Sequence, residues 1–246
     1  MKKLLAITAL LAPGFLALGT TAARADDGGP EGGNCGIPNA VVAQIQGTLS
    51  EVVTQSNGGI FSPNRMWSAV VDRQGRLCSV TRVGDAWPGS RAIAMAKATT
   101  ANDFSNDALA LSTANLYSPT QPGGSLYGLN NSNPFNPAFL VQGNQQLSQA
   151  LMKAFGNTPG GIITFGGGVP LYSGGKVIGG LGVSGDSACA DHVIAYRMRR
   201  AVGLDGIPSG VGFGGTDNID YLAPGDAPNG FKHPHCFPSA LQPGQF

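Results

Sequence analysis

The sequence predicts a single mixed α/β (α+β) domain in which antiparallel strand pairs pack against amphipathic helices. Three observations carry this. MWSAVVD and RLCSVTRV flank the turn residues Arg73-Gln74-Gly75 and read as a hairpin. A second pair of apolar strands is joined by Ser173-Gly174-Gly175. Runs with apolar residues at the helical period stand before, between and after these pairs.

At the start of the chain, Lys2-Lys3, the apolar run LLAITALLAPGFLALG and Ala23-Arg24-Ala25 form the three regions of a signal peptide, so residues 1–25 are read as removed on export, with cleavage after Ala25. A membrane anchor fits less well, because Pro13 and Gly14 interrupt a run already short for a bilayer. No later segment is long and apolar enough to span. The expected location is periplasmic or extracellular. Loss of Lys2, Lys3 and Arg24 turns 15 basic against 14 acidic residues into a slight acidic excess, which excludes nucleic acid as a natural partner. A hydrophobic content of 42% suffices for a core, while 12% charged residues and 38 glycines suit a loop-rich exported protein.

Residues 26–37 form a leader, 38–203 the domain and 204–246 an irregular tail rich in Gly and Pro. The first helix begins at Pro38-Asn39, carries the stripe Val41, Val42, Ile45, Leu49, Val52, Val53 and stops at Asn57-Gly58-Gly59. Beyond the hairpin, Ser90 is expected to cap the run RAIAMAKATTANDF, whose stripe is Ile93, Ala96, Lys97, Thr100, Phe104. Lys97 thus falls on a buried face, where an ammonium needs a partner or a task unless it snorkels out at the stripe's edge. Residues 118–144 are an ordered insertion loop with scattered aromatics, among them Tyr127, Phe135 and Phe139. A short helix near 146–155 precedes strands at 161–166, 169–172 and 176–183, and a helix from Ser187 to about Val202 follows.

Gly166, Gly167, Gly168, Gly182 and Gly185 cluster at these strand ends. One reading is tight turns; another is an anion cradle, made by the Ser184-Gly185 backbone and the helix start at Asp186 or Ser187, that suits a carboxylate or propionate. Gly180 to Gly185 spell G-x-G-x-x-G, yet the chain after Val202 lacks the strand and acid that a dinucleotide site requires. His192 falls beside Arg199 on the polar side of its helix and reads as a solvent histidine, and Arg197, Arg199 and Arg200 complement the helix dipole.

Four cysteines, Cys35, Cys78, Cys189 and Cys236, imply two disulfides in an oxidising compartment. Spacing does not choose among the three pairings, although a tie from Cys78 to the leader Cys35, and one from Cys189 to the tail Cys236, are both plausible. No two cysteines stand in C-x-x-C register, which argues against a metal site, although His233-Pro234-His235-Cys236 places three donors within four residues; the weak candidates for a metal ligand are His192, His233 and His235. The absence of C-x-x-C-H means that any haem is held non-covalently.

VVDRQGRLCSVTRVGDAWPGSRAIAMAKATTANDFS and FGGGVPLYSGGKVIGGLGVSGDSACADH resemble the GlcG/HbpS family, also called the haem-degrading domain family, across most of 38–203. The resemblance is most specific at Ala96-Lys97-Ala98-Thr99-Thr100, at Gly166 to Pro170 and from Gly175 through Gly185. It implies a five-stranded antiparallel sheet flanked by helices and a ligand pocket at Arg82, Lys97, Thr100, Gly166 to Gly168, Gly185 and Asp186, with His192 nearby. It implies haem, held non-covalently, as the cofactor. The chain departs from commoner members at Asp186 to His192, in the insertion and in the Cys-tied tail.

Three functions follow for test. The first is an exported haem-binding protein, with haem degradation as an extension. The second is an enzyme or accessory subunit for a small organic acid, with Lys97 as acid or base; no known catalytic template is present, so binding is preferred to catalysis. The third is a partner-binding protein that presents the insertion, whose surface also offers a route to homo-oligomers.

Overall fold

The computed structural model describes residues 24–25, 35–141 and 145–246. Most of the signal segment, the leader to residue 34 and residues 142–144 of the insertion lie outside them. The predicted first helix is two, α1 (Asn39–Gly47) and α2 (Leu49–Val52), divided at Thr48, whose hydroxyl bonds the Ile45 carbonyl at 2.7 Å. Past its end, the Val52 carbonyl accepts from the Gln55 N–H at 3.1 Å and from the Asn57 amide at 2.7 Å. The hairpin is β1 (Met66–Asp72) and β2 (Leu77–Val83); the second pair is β3 (Gly168–Ser173) and β4 (Lys176–Ser184).

These strands form one antiparallel sheet in the order β2-β1-β4-β3, with Trp67 opposite both Arg82 and Ser184. The sheet has four full strands, not five; Arg24–Ala25 adds only a two-residue ladder against Arg82 and Thr81. The missing strand is the one expected at 161–166. Gly160 and Gly161 take φ of 65° and 78°, and the Ile163 N–H donates to the Thr100 hydroxyl at 3.0 Å instead of to a strand. The β-branched residues there reflect burial, which periodicity alone does not separate from strand pairing.

One sheet face, with Trp67, Ala69, Val71, Leu77 and Val80, packs against Ala94, Met95 and Ala98 of α3 (Ser90–Asp103). Ser90 opens that helix but does not cap it, the N-cap being Gly89 without a side-chain bond. The other face packs against α1, α2 and α6 (Ala188–Ala201) through Val42, Ile45, Leu49, Ile194 and Met198. The short α4 (Tyr117–Thr120) opens the insertion and α5 (Gln145–Phe155) follows it. Within the insertion Phe139 is buried in the α3 core, whereas Tyr127 is 67% exposed.

The close fit of α3 on β4 explains the glycine motif. A Cβ at Gly180 would overlap the Ala98 carbonyl, and one at Gly182 the Ala94 carbonyl, so helix backbone lies directly on strand backbone. The G-x-G-x-x-G string is therefore a packing device.

The tail is irregular but firmly anchored. Arg199 of α6 grips Asp217 with two hydrogen bonds of 2.6 and 2.7 Å and also bonds the Pro170 carbonyl at 3.0 Å, all fully buried. Isolated bridges join Ala110 to Gly210 and Tyr221 to His233. Disulfides Cys35–Cys78 and Cys189–Cys236 close the leader and the tail onto the domain, as an oxidising environment favours. Among the described residues no helix is long and apolar enough to cross a membrane.

Candidate functional site

Lys97 lies on α3 where the sheet ends, and its side chain is completely buried, which settles the choice between burial and snorkelling. Its ammonium donates to Asp191 Oδ2 at 2.7 Å and to the Val183 carbonyl at 3.1 Å, and stands 4.8 Å from the Phe165 ring centroid. Asp191 comes from the first turn of α6 and was not foreseen. Its signal was present: it precedes Ile194 and Met198 by three and seven residues, so it belongs to the helix's apolar stripe. Burial pushes the Asp191 carboxyl up to about 6 and the Lys97 ammonium down, while their mutual attraction opposes both shifts. Gly167 makes the pair possible, at φ 124° and with no room for a Cβ between Lys97 Nζ and the Val183 carbonyl.

The expected anion cradle holds the protein's own carboxylates. Asp191 Oδ1 accepts from the Asp186 N–H at 2.9 Å. Asp186 accepts from the Ile60 and Phe61 N–H groups at 2.7 and 3.0 Å, from Asn64 at 3.1 Å and from Ser187 at 2.6 Å, tying a distant loop to the helix start. Ser187 is the N-cap, accepting from the Ala190 N–H at 3.3 Å. Gly185 lies against Arg65, with no room for a Cβ beside its carbonyl. Thr100 spends its hydroxyl on the Ala96 carbonyl at 2.7 Å and on Ile163. Arg82 stands two strands from β4, 5.3 Å from the Trp67 ring.

His192 is not on a solvent face. It is fully buried because the tail covers the polar side of α6: the Ile219 N–H donates to its Nε2 at 3.0 Å and Phe246 packs 6.3 Å away. Burial lowers its pKa to about 3 and that of the equally enclosed His233 to about 4. His233 accepts from the Gly166 N–H at 3.3 Å through Nε2, its Nδ1 lies 2.7 Å from the Pro234 carbonyl, and its ring stacks on Tyr117 at 5.0 Å. The predicted residues Lys97, Gly166 to Gly168 and His192 do converge, but beneath a tail that seals them from solvent.

Beside this seal the tail forms a cleft of about 490 Å³, lined by Leu222, Ala223, Pro224, Asp226, Pro234, His235 and Gln242. His235 is exposed, with the Tyr221 ring set edge-on at 4.6 Å. The Gln242 side-chain amide lies 2.9 Å from its Nε2.

Residues 62–199 match the family model described as haem degrading protein HbpS-like. The chain belongs to this HbpS-like family. An uncharacterised 15.0 kDa protein from the dhaT-dhaS intergenic region of Citrobacter freundii is 34% identical over 127 residues, 52% of this chain and 68% of that one. The structure of the Klebsiella pneumoniae protein ORFY shares 26% identity and a TM-score of 0.50 over 68% of this chain and 90% of its own. A structure described as the PduOC:heme complex shares 26% identity and a TM-score of 0.49 over 68% and 96%. The matched segment stops at Arg199, so the tail with His233, His235 and Cys236 lies outside it.

Haem requires room and an iron ligand. At Lys97 the residues do not fit: the ammonium is neutralised by Asp191, and both neighbouring imidazoles are enclosed. At the tail cleft they fit, since its volume lies within the usual range for cofactor pockets, its wall is largely apolar and one exposed imidazole stands in it.

Proposed function

We propose that the chain is an exported haem-binding protein that takes haem non-covalently in the tail cleft, with His235 as the iron's protein ligand. The observation that carries this reading is the accessible imidazole of His235 at an apolar cleft of about 490 Å³, in a protein whose family is described by haem. Leu222, Ala223, Pro224 and Pro234 would cover the macrocycle, and the iron would replace Gln242 at the His235 imidazole. No basic residue lines the cleft, which leaves the propionates to solvent and makes Arg82 and Lys97 unnecessary to binding.

A titration of the oxidised chain, residues 26–246, with haemin is expected to saturate at one equivalent with a shifted Soret band. A featureless, unsaturable response contradicts the reading. Degradation is a separate step needing dioxygen and electrons; bound haem held under air with ascorbate either keeps its Soret band, which leaves a binding protein, or loses it to open-chain products. Export has its own check: secreted protein should begin at Asp26, and a mature product that still carries Lys2-Lys3 contradicts cleavage.

The small-acid reading would need Lys97 to exchange Asp191 for a substrate carboxylate, and the enclosed pair offers no open face for that.

A further inference from the structure

The Cys189–Cys236 disulfide has a third donor beside it. Both sulfurs and one ring nitrogen of His233 lie within 4.8 Å of one another, with Cys189 fully buried, His233 2% exposed and Cys236 half-buried. We infer that the reduced form of this protein binds a soft divalent cation such as Zn²⁺ through Cys189, His233 and Cys236. The metal then takes over the disulfide's task of fastening the tail to α6. Nothing in the haem reading requires this site, and it stands on different residues.

The chemistry balances with a dithiol as reductant. Two thiol–disulfide exchanges move two electrons and two protons to Cys189 and Cys236, and the reagent leaves as a cyclic disulfide. Binding of M²⁺ then displaces the two thiol protons, giving a charge-neutral bis-thiolate with one neutral imidazole. Tetrahedral Zn–S bonds of about 2.3 Å put two sulfurs roughly 3.7 Å apart.

Three features argue that the donors stay together once the covalent bond is gone. Arg199 and Asp217 hold the tail on α6 independently of the disulfide. The His233 backbone is fixed on both sides, its N–H bonding the Asp220 carbonyl at 2.8 Å and its carbonyl accepting from Leu222 at 2.9 Å. The Cys189 N–H, in the first turn of the fourteen-residue α6, already points at Cys236 Sγ at 3.1 Å, an arrangement that favours a thiolate there.

The other sulfur cluster, Cys35, Asp72 and Cys78, offers a built-in comparison. Asp72 accepts four hydrogen bonds, from Gly36, Gln74 and both the backbone and guanidinium of Arg76, whereas a metal at His233 displaces one, that with Gly166 at Nε2 or that with Pro234 at Nδ1.

The test is alkylation of the reduced full chain with and without Zn²⁺, each cysteine being mapped by mass spectrometry. The expected result is slowing of Cys189 and Cys236 by at least about tenfold, with Cys35 and Cys78 unaffected and the protection lost in His233→Ala. Equal reaction of all four thiols overturns the proposal. So does equal protection of both pairs, or protection unchanged in His233→Ala, since each shows metal held by thiols alone. Co²⁺ in place of Zn²⁺ supplies an independent signature, thiolate-to-cobalt charge-transfer absorption that Cys236→Ser should remove; its absence in the reduced wild type also overturns the site.

Discussion

Lys97 and Asp191 show what a single buried charge demands of its surroundings. An ammonium with no access to water is tolerable only beside an acceptor of opposite charge, and Asp191 at 2.7 Å supplies it. Removing one partner should cost more than the pair contributes: Asp191→Ala is expected to destabilise by about 3–5 kcal/mol because the ammonium is left uncompensated, while the double variant Lys97→Met, Asp191→Leu recovers most of that loss. Urea denaturation of the three proteins checks it, and a double variant no better than the single one contradicts the account. At this scale the sequence was half legible. The helical stripe placed Lys97 inside, but its acid sits far away in the chain, and the anion expected in the cradle is Asp186 and Asp191 themselves. His192 was misplaced for a physical reason: helical periodicity separates apolar from polar faces, and a tail that satisfies polar groups can bury the polar face too.

Among the elements, the α3 and β4 pair is the most constrained. Helix backbone lying on Gly180 and Gly182 leaves no space for a methyl group, so Gly180→Ala should force α3 outward and cost roughly 1–3 kcal/mol or more, as overpacking does. Gly174→Ala, in the open turn between β3 and β4, meets no atom within 4 Å and suffers only the penalty of its positive φ. Thermal unfolding of the two variants should rank them in that order, and the reverse order would remove close packing as the reason for the motif. The hairpin, both long helices and the β3–β4 pair were readable from period and turn residues, because local signals and tertiary packing agree there. The strand expected at 161–166 failed because β-branched residues mark a buried segment equally well when its N–H groups are satisfied by side chains such as Thr100.

For the whole molecule, the tail bears on stability and, in the proposed reading, on function. The Cys189–Cys236 bridge closes a separation of 47 residues, worth about 4 kcal/mol in lost unfolded-state freedom. The enclosed histidines make stability depend on pH. Their folded pKa values of about 3 and about 4 lie below the ordinary 6.5, so the unfolded chain binds more protons as pH falls below 6.5 and stability drops, by at most about 1.4 kcal/mol per pH unit for each. Asp191, raised to about 6, works in the opposite sense between 6 and 3.8, so one histidine's slope should survive across that window. A denaturation midpoint that stays flat from pH 6.5 to 4.5 contradicts enclosure of His192 and His233. The family core was legible from its motifs; the cleft was not, because it is made by irregular tail segments brought together by long-range ties such as Arg199–Asp217 and the disulfide. The decisive measurement is a haemin titration of wild type, His235→Ala and His192→Ala side by side. The tail cleft requires His235→Ala to lose the saturable Soret shift while His192→Ala keeps it; a His235→Ala protein that binds like wild type, with His192→Ala impaired, would place haem in the sealed core and contradict the account.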